Sequence, residues 1–302
     1  MNIGILSRNR NLYSTRRLAQ SARMRGHGVR VIDTLQVPVK IGVRKGDLSN
    51  SHLPSVDAII PRIGPSITFY GLAVVRQFES MGVITTAPSS AIARSRDKLH
   101  SLQMMSKSGL PIPKTTVVTD LDEIWPAIHI AGGLPVIIKL IRGTQGRGVY
   151  LATQMKTVET ILKTVHRLKE QVLVQEYIEE SHGTDIRIIV VGNMCVAAMR
   201  RTAAAGDFRS NLHRGGSALP VSLDHTSKQL ATRAVQAHGL GVAGVDIVNS
   251  NRGPLLLEVN SSPGLEGIET TTKVDIASEI IRYLEREEKK MRHKRRQKRK
   301  RS

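Results

Sequence analysis

Cysteine is nearly absent from this chain, and so are aromatic side chains, long apolar runs and enough acid to balance its bases. A lone Cys195 excludes an internal disulfide, and no Cys/His metal site is expected. Sitting in an apolar strand-like run, it reads as a buried structural thiol in a reducing, cytoplasmic compartment. No apolar stretch approaches the roughly 20 residues a membrane helix needs. Met1-Asn2-Ile3-Gly4 opens into a strand rather than a signal segment, so no membrane contact is expected. Aromatics make up only 3% of the residues, too few for the stacking platforms that read single-stranded bases. Acids number 25 against 45 Lys and Arg, a net charge of +20. Half of that excess lies in the last fourteen residues, Lys289 to Ser302, which hold ten Lys or Arg and no acid. Such a block repels itself, so 286–302 is expected to be a disordered basic tail, with a solvated extension of the preceding helix as the alternative. Its chemistry suits a salt-sensitive contact with ribosomal RNA.

What is present points to several lobes. The 302 residues, 40% of them hydrophobic, suffice for two or three well-buried cores. Residues 1–95 alternate short apolar strands with helices that end at glycine, which argues a small parallel α/β domain. A connecting helix is expected from Ser89 to Lys107. Residues 96–285 then read as α+β, with one lobe at about 112–170 and another at about 171–285.

The chemistry concentrates in one predicted hairpin. Val245-Asp246-Ile247-Val248 and Leu255-Leu256-Leu257-Glu258-Val259-Asn260 flank a polar turn, Asn249 to Gly253. Position 252 lies midway between Asp246 and Glu258, so a turn centred there sets the two carboxylates opposite each other. Alternation puts Asn260 on the face of Glu258. Facing carboxylates repel unless something positive lies between them. Oxygen donors of these types suit a hard divalent cation such as Mg²⁺ beside nucleotide phosphates. A solvent-facing polar surface is the bland alternative.

Upstream, Lys139 sits inside the apolar run Val136 to Leu140, ahead of Gly143-Thr144-Gln145-Gly146-Arg147-Gly148. That turn lies between two strands and lacks a Gly-Lys-Ser/Thr ending, so it is neither a Walker loop nor a dinucleotide fingerprint. Its glycines still let backbone N–H groups approach phosphate, and a lysine in a buried strand calls for an anion. An edge strand with Lys139 in water is the alternative. Gln175-Glu176-Tyr177-Ile178 ends an apolar strand with polar groups. Asp185 and Arg187 share a strand face, and the loop from Asp207 to Gly216 is rich in donors for a phosphoryl group or a carboxylate.

Taken together these segments resemble the ATP-grasp superfamily of carboxylate–amine ligases. Within it they are similar to the RimK family of glutamate ligases, whose acceptor is the C-terminus of a ribosomal small-subunit protein. Ala93 to Leu99, Asp207 to Gly216, Val242 to Ile247 and Glu258 to Glu269 carry the likeness, which spans about residues 1 to 285. The resemblance implies an α/β pre-ATP-grasp domain followed by two α+β lobes that clasp ATP. It implies ATP contacts at Lys98, Lys139, Glu176, Tyr177, Asp185, Arg209, Ser210 and Asn211, and two Mg²⁺ or Mn²⁺ ions on Asp246, Glu258 and Asn260. Lys139 and Arg209 are the candidates for stabilising phosphoryl charge. Arg62, Arg187, Arg200, Arg201 and Arg214 are candidate clamps for the carboxylates of L-glutamate. A homo-oligomer is the expected assembly. The competing readings are the same ligation on a small-molecule or carrier-protein acceptor, and a non-catalytic RNA-binding protein that would leave the hairpin carboxylates without a purpose. Asp246→Asn and Glu258→Gln are both expected to abolish ligation with the fold intact.

Overall fold

The inner strands of the N-terminal sheet are apolar on both faces, as a parallel sheet covered by helices requires. Its strands are β1 (Asn2–Leu6), β2 (Gly28–Ile32), β3 (Ala58–Pro61) and β4 (Ile84–Thr85), ordered β2-β1-β3-β4. The computed structural model describes residues 1–42, 55–141, 148–167, 170–210 and 215–301. Helix α1 (Tyr13–Met24) covers one face, where Leu18 and Ala22 meet Ile3 and Ile5. Helix α2 (Thr68–Ser80) covers the other, where Phe78 and Val74 meet Leu6 and Ile59. Leu18, Ile3, Ile5 and Phe78 are fully enclosed, and each contributes roughly 1.5–3 kcal/mol by burial.

The expected connecting helix is two helices, α3 (Ser89–Arg96) and α4 (Lys98–Lys107). Asp97 breaks the run because its backbone is extended and its carboxylate accepts the His100 N–H at 3.0 Å, a side-chain cap that restarts the helix. The break fixes Lys98 at the first turn of α4.

The second sheet is antiparallel, with β5 (Thr115–Val118), β6 (Val136–Leu140), β7 (Val149–Ala152) and β8 (Val172–Glu176) in the order β5-β8-β6-β7. Helices α5 (Ile124–Ala131) and α6 (Met155–Arg167) close its core over Val136, Ile138 and Val174. The third sheet, also antiparallel, runs β11-β10-β9-β12-β13. Its strands are β9 (Thr184–Val191), β10 (Met194–Thr202), β11 (Ser217–Pro220), β12 (Val242–Ser250) and β13 (Gly253–Asn260). Helix α7 (His225–His238) packs Leu230, Ala234 and Val235 on one face, against Ile186, Ile188 and Val245. On the other face, α8 (Glu266–Thr272) and α9 (Ile276–Arg301) bury Ile268, Ile280 and Leu284 with Ile189 and Val191. Cys195 is half-buried rather than enclosed, because it lies near the start of β10, where its thiol reaches the Lys228 carbonyl of α7 at 3.7 Å.

The first domain is tied to the helices that cover this third sheet by partly buried polar bonds. Glu269 in α8 is 6% exposed and accepts Tyr13 Oη at 2.9 Å, Arg17 Nε at 3.1 Å and the Ala277 N–H at 3.0 Å. In α9, Glu285 takes Arg25 at 2.7 Å and His27 at 2.8 Å.

The C-terminal segment departs from the expected disorder, since α9 continues as helix to Arg301. Local pairs support it: Glu287 with Lys290 at 2.7 Å, and Glu288 with Arg292 one turn on. Basic residues toward a helix C-terminus also complement its dipole. Met291 packs on the core shared with the first domain, and Arg295 donates to the Gly82 carbonyl at 3.4 Å.

Hydrogen bonds from Arg25, opposed by burial and reinforced by His27, hold the Glu285 carboxyl down at about 2. A carboxylate held below its unfolded value adds stability that is complete above about pH 4.5 and is lost as pH falls toward about 2. The gap in melting temperature between wild type and Glu285→Gln should therefore be full near about pH 6 and close steadily below about pH 4.5. A gap that does not change with pH would show that the carboxylate charge is not what holds α9.

Candidate active site

The hairpin forms as expected, with Asp246 paired directly to Glu258. The turn is tighter than the sequence suggests, because Ser250 pairs with Gly253 and only Asn251 and Arg252 lie between them. A bulge between Asp246 and Ile247 shifts the register by one and restores the opposition of the carboxylates. Glu258 is exposed, Asn260 is half-buried and Asp246 is buried. Asn260 Oδ1 accepts the Ser262 N–H at 2.9 Å, which fixes the amide at the hairpin's exit.

Beside Asp246 lies a charge network that runs across three strands. Arg187 on β9 is the direct partner of Asp246 on β12, and Arg201 on β10 is the direct partner of Asp185 on β9. Arg187 holds Asp246 through both arms, with Nη2 at 2.6 Å. Arg201 holds Asp185 at 2.7 and 2.6 Å, and reaches Asp246 at 3.0 Å. Burial favours the neutral form of Asp246, but the guanidiniums of Arg187 and Arg201 outweigh it and keep the carboxyl below its usual range. Burial pushes Asp185 up, against the pull of Arg201 and with repulsion from Asp246 added, while the Ser210 hydroxyl bonds to it. Burial opposes the charge of Arg201, and the two aspartates more than offset it, so its ionised form is favoured. Gly244 makes room for the array: a Cβ there would stand 2.9 Å from Pro263 Cβ and 3.6 Å from Arg187 Cδ.

These contacts weigh against the expectation that Asp246→Asn leaves the fold intact. Asp246 joins the half-buried Arg187 and the buried Arg201, and removing its charge leaves Arg187 without its carboxylate and Arg201 with Asp185 alone. Breaking such a pair costs about 3–5 kcal/mol.

Facing the hairpin from the second sheet is Lys139. Its strand β6 is an inner strand, not an edge, and Lys139 is half-buried with Nζ donating to Gln175 Oε1 at 2.6 Å. Gln175, 2% exposed, is pinned in turn by its amide donating to Thr115 at 2.7 Å. Burial lowers the lysine to about 8, with attraction from Glu258 and Asp246 opposing and repulsion from Lys98 adding. Lys98 donates to the carbonyls of Leu140 and Ile141, both at 3.1 Å, and is likewise lowered by burial and drawn back by Glu258. Lysines from one side and carboxylates from the other thus feel each other's charge across the gap between sheets.

The remaining expected residues divide. Glu176 is gripped by Arg252 of the hairpin turn at 2.8 and 2.7 Å and accepts the Lys114 N–H at 3.0 Å. Tyr177 follows it, half-buried. Arg209 pairs with Asp207 at 2.9 Å, stacks on Phe208 at 5.1 Å and extends toward the Val149 carbonyl at 3.5 Å. Arg62 lies at the end of β3, beside Pro61, whose carbonyl accepts Ser262 Oγ at 3.3 Å. Arg187 and Arg201, expected to clamp glutamate, are paired with Asp246 and Asp185 in this structure. Arg200 is exposed on the opposite face of β10 from Arg201 and does not join the site. Asn211, Arg214 and the turn from Gly143 to Arg147 lie outside the described residues. Gln175 and Arg252 are not among the expected site residues. A glutamine inside an apolar strand, next to a strand-end acid, is the available signal for the first, and Arg252 carries none.

The donor set fits a hard cation: two carboxylates and an amide oxygen on adjacent strands, with Glu258 open to the gap. Among the described residues no cluster of three or more His, Cys, Asp or Glu exists, so the amide of Asn260 would have to serve as the third protein donor.

Residues 1–92 match the family described as the RimK PreATP-grasp domain, and residues 95–284 the RimK-like ATP-grasp domain. The chain is 52% identical over 288 residues to the probable alpha-L-glutamate ligase of Pseudomonas aeruginosa (strain UCBPP-PA14), covering 95% of this chain and 96% of that protein. Among solved structures it is similar to a RimK domain protein ATP-grasp from Sphaerobacter thermophilus, with a TM-score of 0.73, 20% identity, and 94% and 99% of the two chains covered. It is also similar to the ATP-grasp ligase PsnB solved with a phosphomimetic variant of its minimal precursor, Mg and ADP, with a TM-score of 0.75, 21% identity, and 95% and 98% covered. The last two likenesses speak to fold.

Proposed function

The chain belongs to the RimK family of ATP-grasp ligases, and from that membership we propose that it joins L-glutamate to the C-terminal carboxylate of a ribosomal small-subunit protein. It is an ATP-dependent ligase. The observation that supports the siting of its chemistry is the meeting of Lys139 and Lys98 with Glu258 and Asp246 between two sheets.

A carboxylate resists attack by an amine because oxide is a hopeless leaving group. ATP removes that barrier when the acceptor carboxylate attacks the γ-phosphorus, ADP departs, and an acyl phosphate forms. The amine of glutamate then attacks the acyl carbon and expels phosphate. Asp246, Glu258 and Asn260 would hold two Mg²⁺ or Mn²⁺ ions, whose charge when bound would offset that of the β- and γ-phosphate oxygens. Lys139, oriented by Gln175, supplies a positive charge that is poorly solvated and therefore ready to bind phosphate. Lys98 anchors the end of β6, from which the glycine-rich segment departs. Arg209 brings a further cation toward β7. Glu176 and Tyr177 line the adenosine end, where Arg252 orients the carboxylate for ribose hydroxyls. Asp185, itself held by the Ser210 hydroxyl, acts beneath the site by holding Arg201, so the part of both in ATP binding is positional. Sequestering the acyl phosphate from water falls to the closed lobes.

The helical basic end of α9 suits a contact with ribosomal RNA, since its charge would release counterions from phosphates. Incubation with ATP, Mg²⁺, L-glutamate and small ribosomal subunits, followed by mass spectrometry, should reveal a ladder of glutamyl additions at one protein's C-terminus. No addition to any ribosomal protein, with turnover on a small acceptor instead, would move the activity to the alternative acceptor class. A chain ending at Glu288 should lose rate on intact subunits but not on the isolated acceptor protein, and equal rates would remove the RNA contact.

A further inference from the structure

The first domain carries a pair of cations that the ligation chemistry described above does not use. Arg62 follows β3, half-buried, and its guanidinium makes no hydrogen bond or ion pair among the described residues. Arg96, at the end of α3, donates to Thr68 Oγ1 at 2.8 Å and to the Ile63 carbonyl, while its Nε is buried without a partner among the described residues. Burial, with repulsion from Arg96, lowers Arg62 to about 10, and burial lowers Arg96 as well. Among the described residues no carboxylate relieves either one. Desolvated charges without a counter-ion are costly, and proteins keep them where a ligand supplies the opposite charge.

Position in the fold indicates which ligand. In a sheet ordered β2-β1-β3-β4, the chain leaves β1 and β3 toward opposite edges. The crevice beyond the carboxyl ends of those two strands is therefore the place where open α/β sheets bind ligands. Arg62 stands at the end of β3, and Arg8, just past β1, forms the exposed rim with Nη1 at 3.5 Å from Ser66 Oγ. The same end of β3 touches the segment leaving the carboxylate hairpin, through Pro61 and Ser262 at 3.3 Å. The arginines thus border the reacting centre from the first domain.

We propose that the Arg62–Arg96 pair, with Arg8 at its rim, is the carboxylate-binding subsite of the ligase, gripping a non-reacting carboxylate of one of its two acidic reactants. The subsite rests on the ligase reading given above. Guanidinium forks suit carboxylates because two parallel N–H donors match two oxygens. One carboxylate chemistry has two sources here: the incoming L-glutamate, or an acidic side chain at the acceptor's terminus.

Arg62→Gln is the variant of choice, because Arg62 supports no other described side chain and removing its charge should not lower the melting temperature. In a binding arm, L-glutamate and a peptide ending in Glu-Glu are titrated separately into wild type and Arg62→Gln, with melting temperature as readout. Wild type should be stabilised by at least one of them and the variant should not. Equal stabilisation of both proteins, or of neither, overturns the subsite. In a turnover arm, Arg62→Gln should raise KM for one carboxylate reactant by about tenfold to a hundredfold, the range for losing a charged hydrogen-bonded contact, with KM for ATP unchanged. A rise for glutamate assigns the subsite to the incoming amino acid, and a rise for the peptide assigns it to the acceptor. Unchanged KM for both overturns it. A wild-type protein that adds no glutamate defeats the ligase reading, while the binding arm still decides on the arginine pair.

Discussion

Glu258→Gln should lower kcat/KM by about a hundredfold to a thousandfold and leave the melting temperature where it was. Asp246→Asn should lose turnover and stability together. The contrast follows from what each carboxylate touches. Glu258 is exposed toward the gap and makes no ion pair or hydrogen bond among the described residues, so its amide replacement disturbs no protein contact there. Its negative charge is nevertheless felt by Lys139 and Lys98 on the opposite side. Removing one preorganised charge that faces a reacting phosphate typically costs about 10²–10³ in rate. Asp246 has the same chemical type but a second task, because Arg187 and Arg201 both depend on it. The asparagine takes the charge partner from the half-buried Arg187 and one of two from the buried Arg201, at a cost of up to about 3–5 kcal/mol. Kinetics and thermal melts on the two variants separate these roles. Near-wild-type turnover by Glu258→Gln would overturn the assignment of a cation to the hairpin, whatever Asp246→Asn does.

The unequal fates of these two acids show what the sequence could and could not reveal. Strand alternation and the spacing around Arg252 were enough to place Asp246 opposite Glu258, although a tight turn and a bulge achieve it rather than a symmetric loop. Lys139 was legible because a charged residue interrupts an apolar strand, and the parallel first sheet because its short strands alternate with helices. The arginine partners of Asp246 were not legible. Arg187 lies 59 residues from it and Arg201 sits on yet another strand, and nothing local tells a structural clamp from a substrate clamp. Register decides, since each arginine stands directly across from an aspartate and is consumed by it. Arg62 differs in having no such acid across from it among the described residues. The connecting helix is broken for a local reason that is present in the sequence, because Asp97 can cap a new helix as readily as sit inside one. The basic end is helical because the acids just upstream of it pair with its first bases, which self-repulsion alone leaves out of account.

The second large effect concerns Lys139 and has a signature in pH. Half-buried and opposed by Lys98, the lysine is lowered to about 8 despite the attraction of Glu258. The free protein therefore carries this charge below about pH 8 and loses it above. If phosphate binds the ammonium form, KM for ATP should be flat below that value and climb by about tenfold per pH unit above it, until binding no longer depends on the lysine. Lys139→Met should raise KM for ATP by about tenfold to a hundredfold at neutral pH, as expected for a lost charged hydrogen bond, and should abolish the climb. The variant's melting temperature should change little, because the relief of replacing a poorly solvated cation by an apolar side chain is set against the buried Gln175 acceptor left unpaired. Arginine is not a conservative rescue, since its planar fork does not fit the single bond that Gln175 offers at 2.6 Å. Initial-rate measurements across pH on both proteins provide the check. A climb that persists unchanged in Lys139→Met would assign the titration to another group and remove Lys139 from the phosphate site.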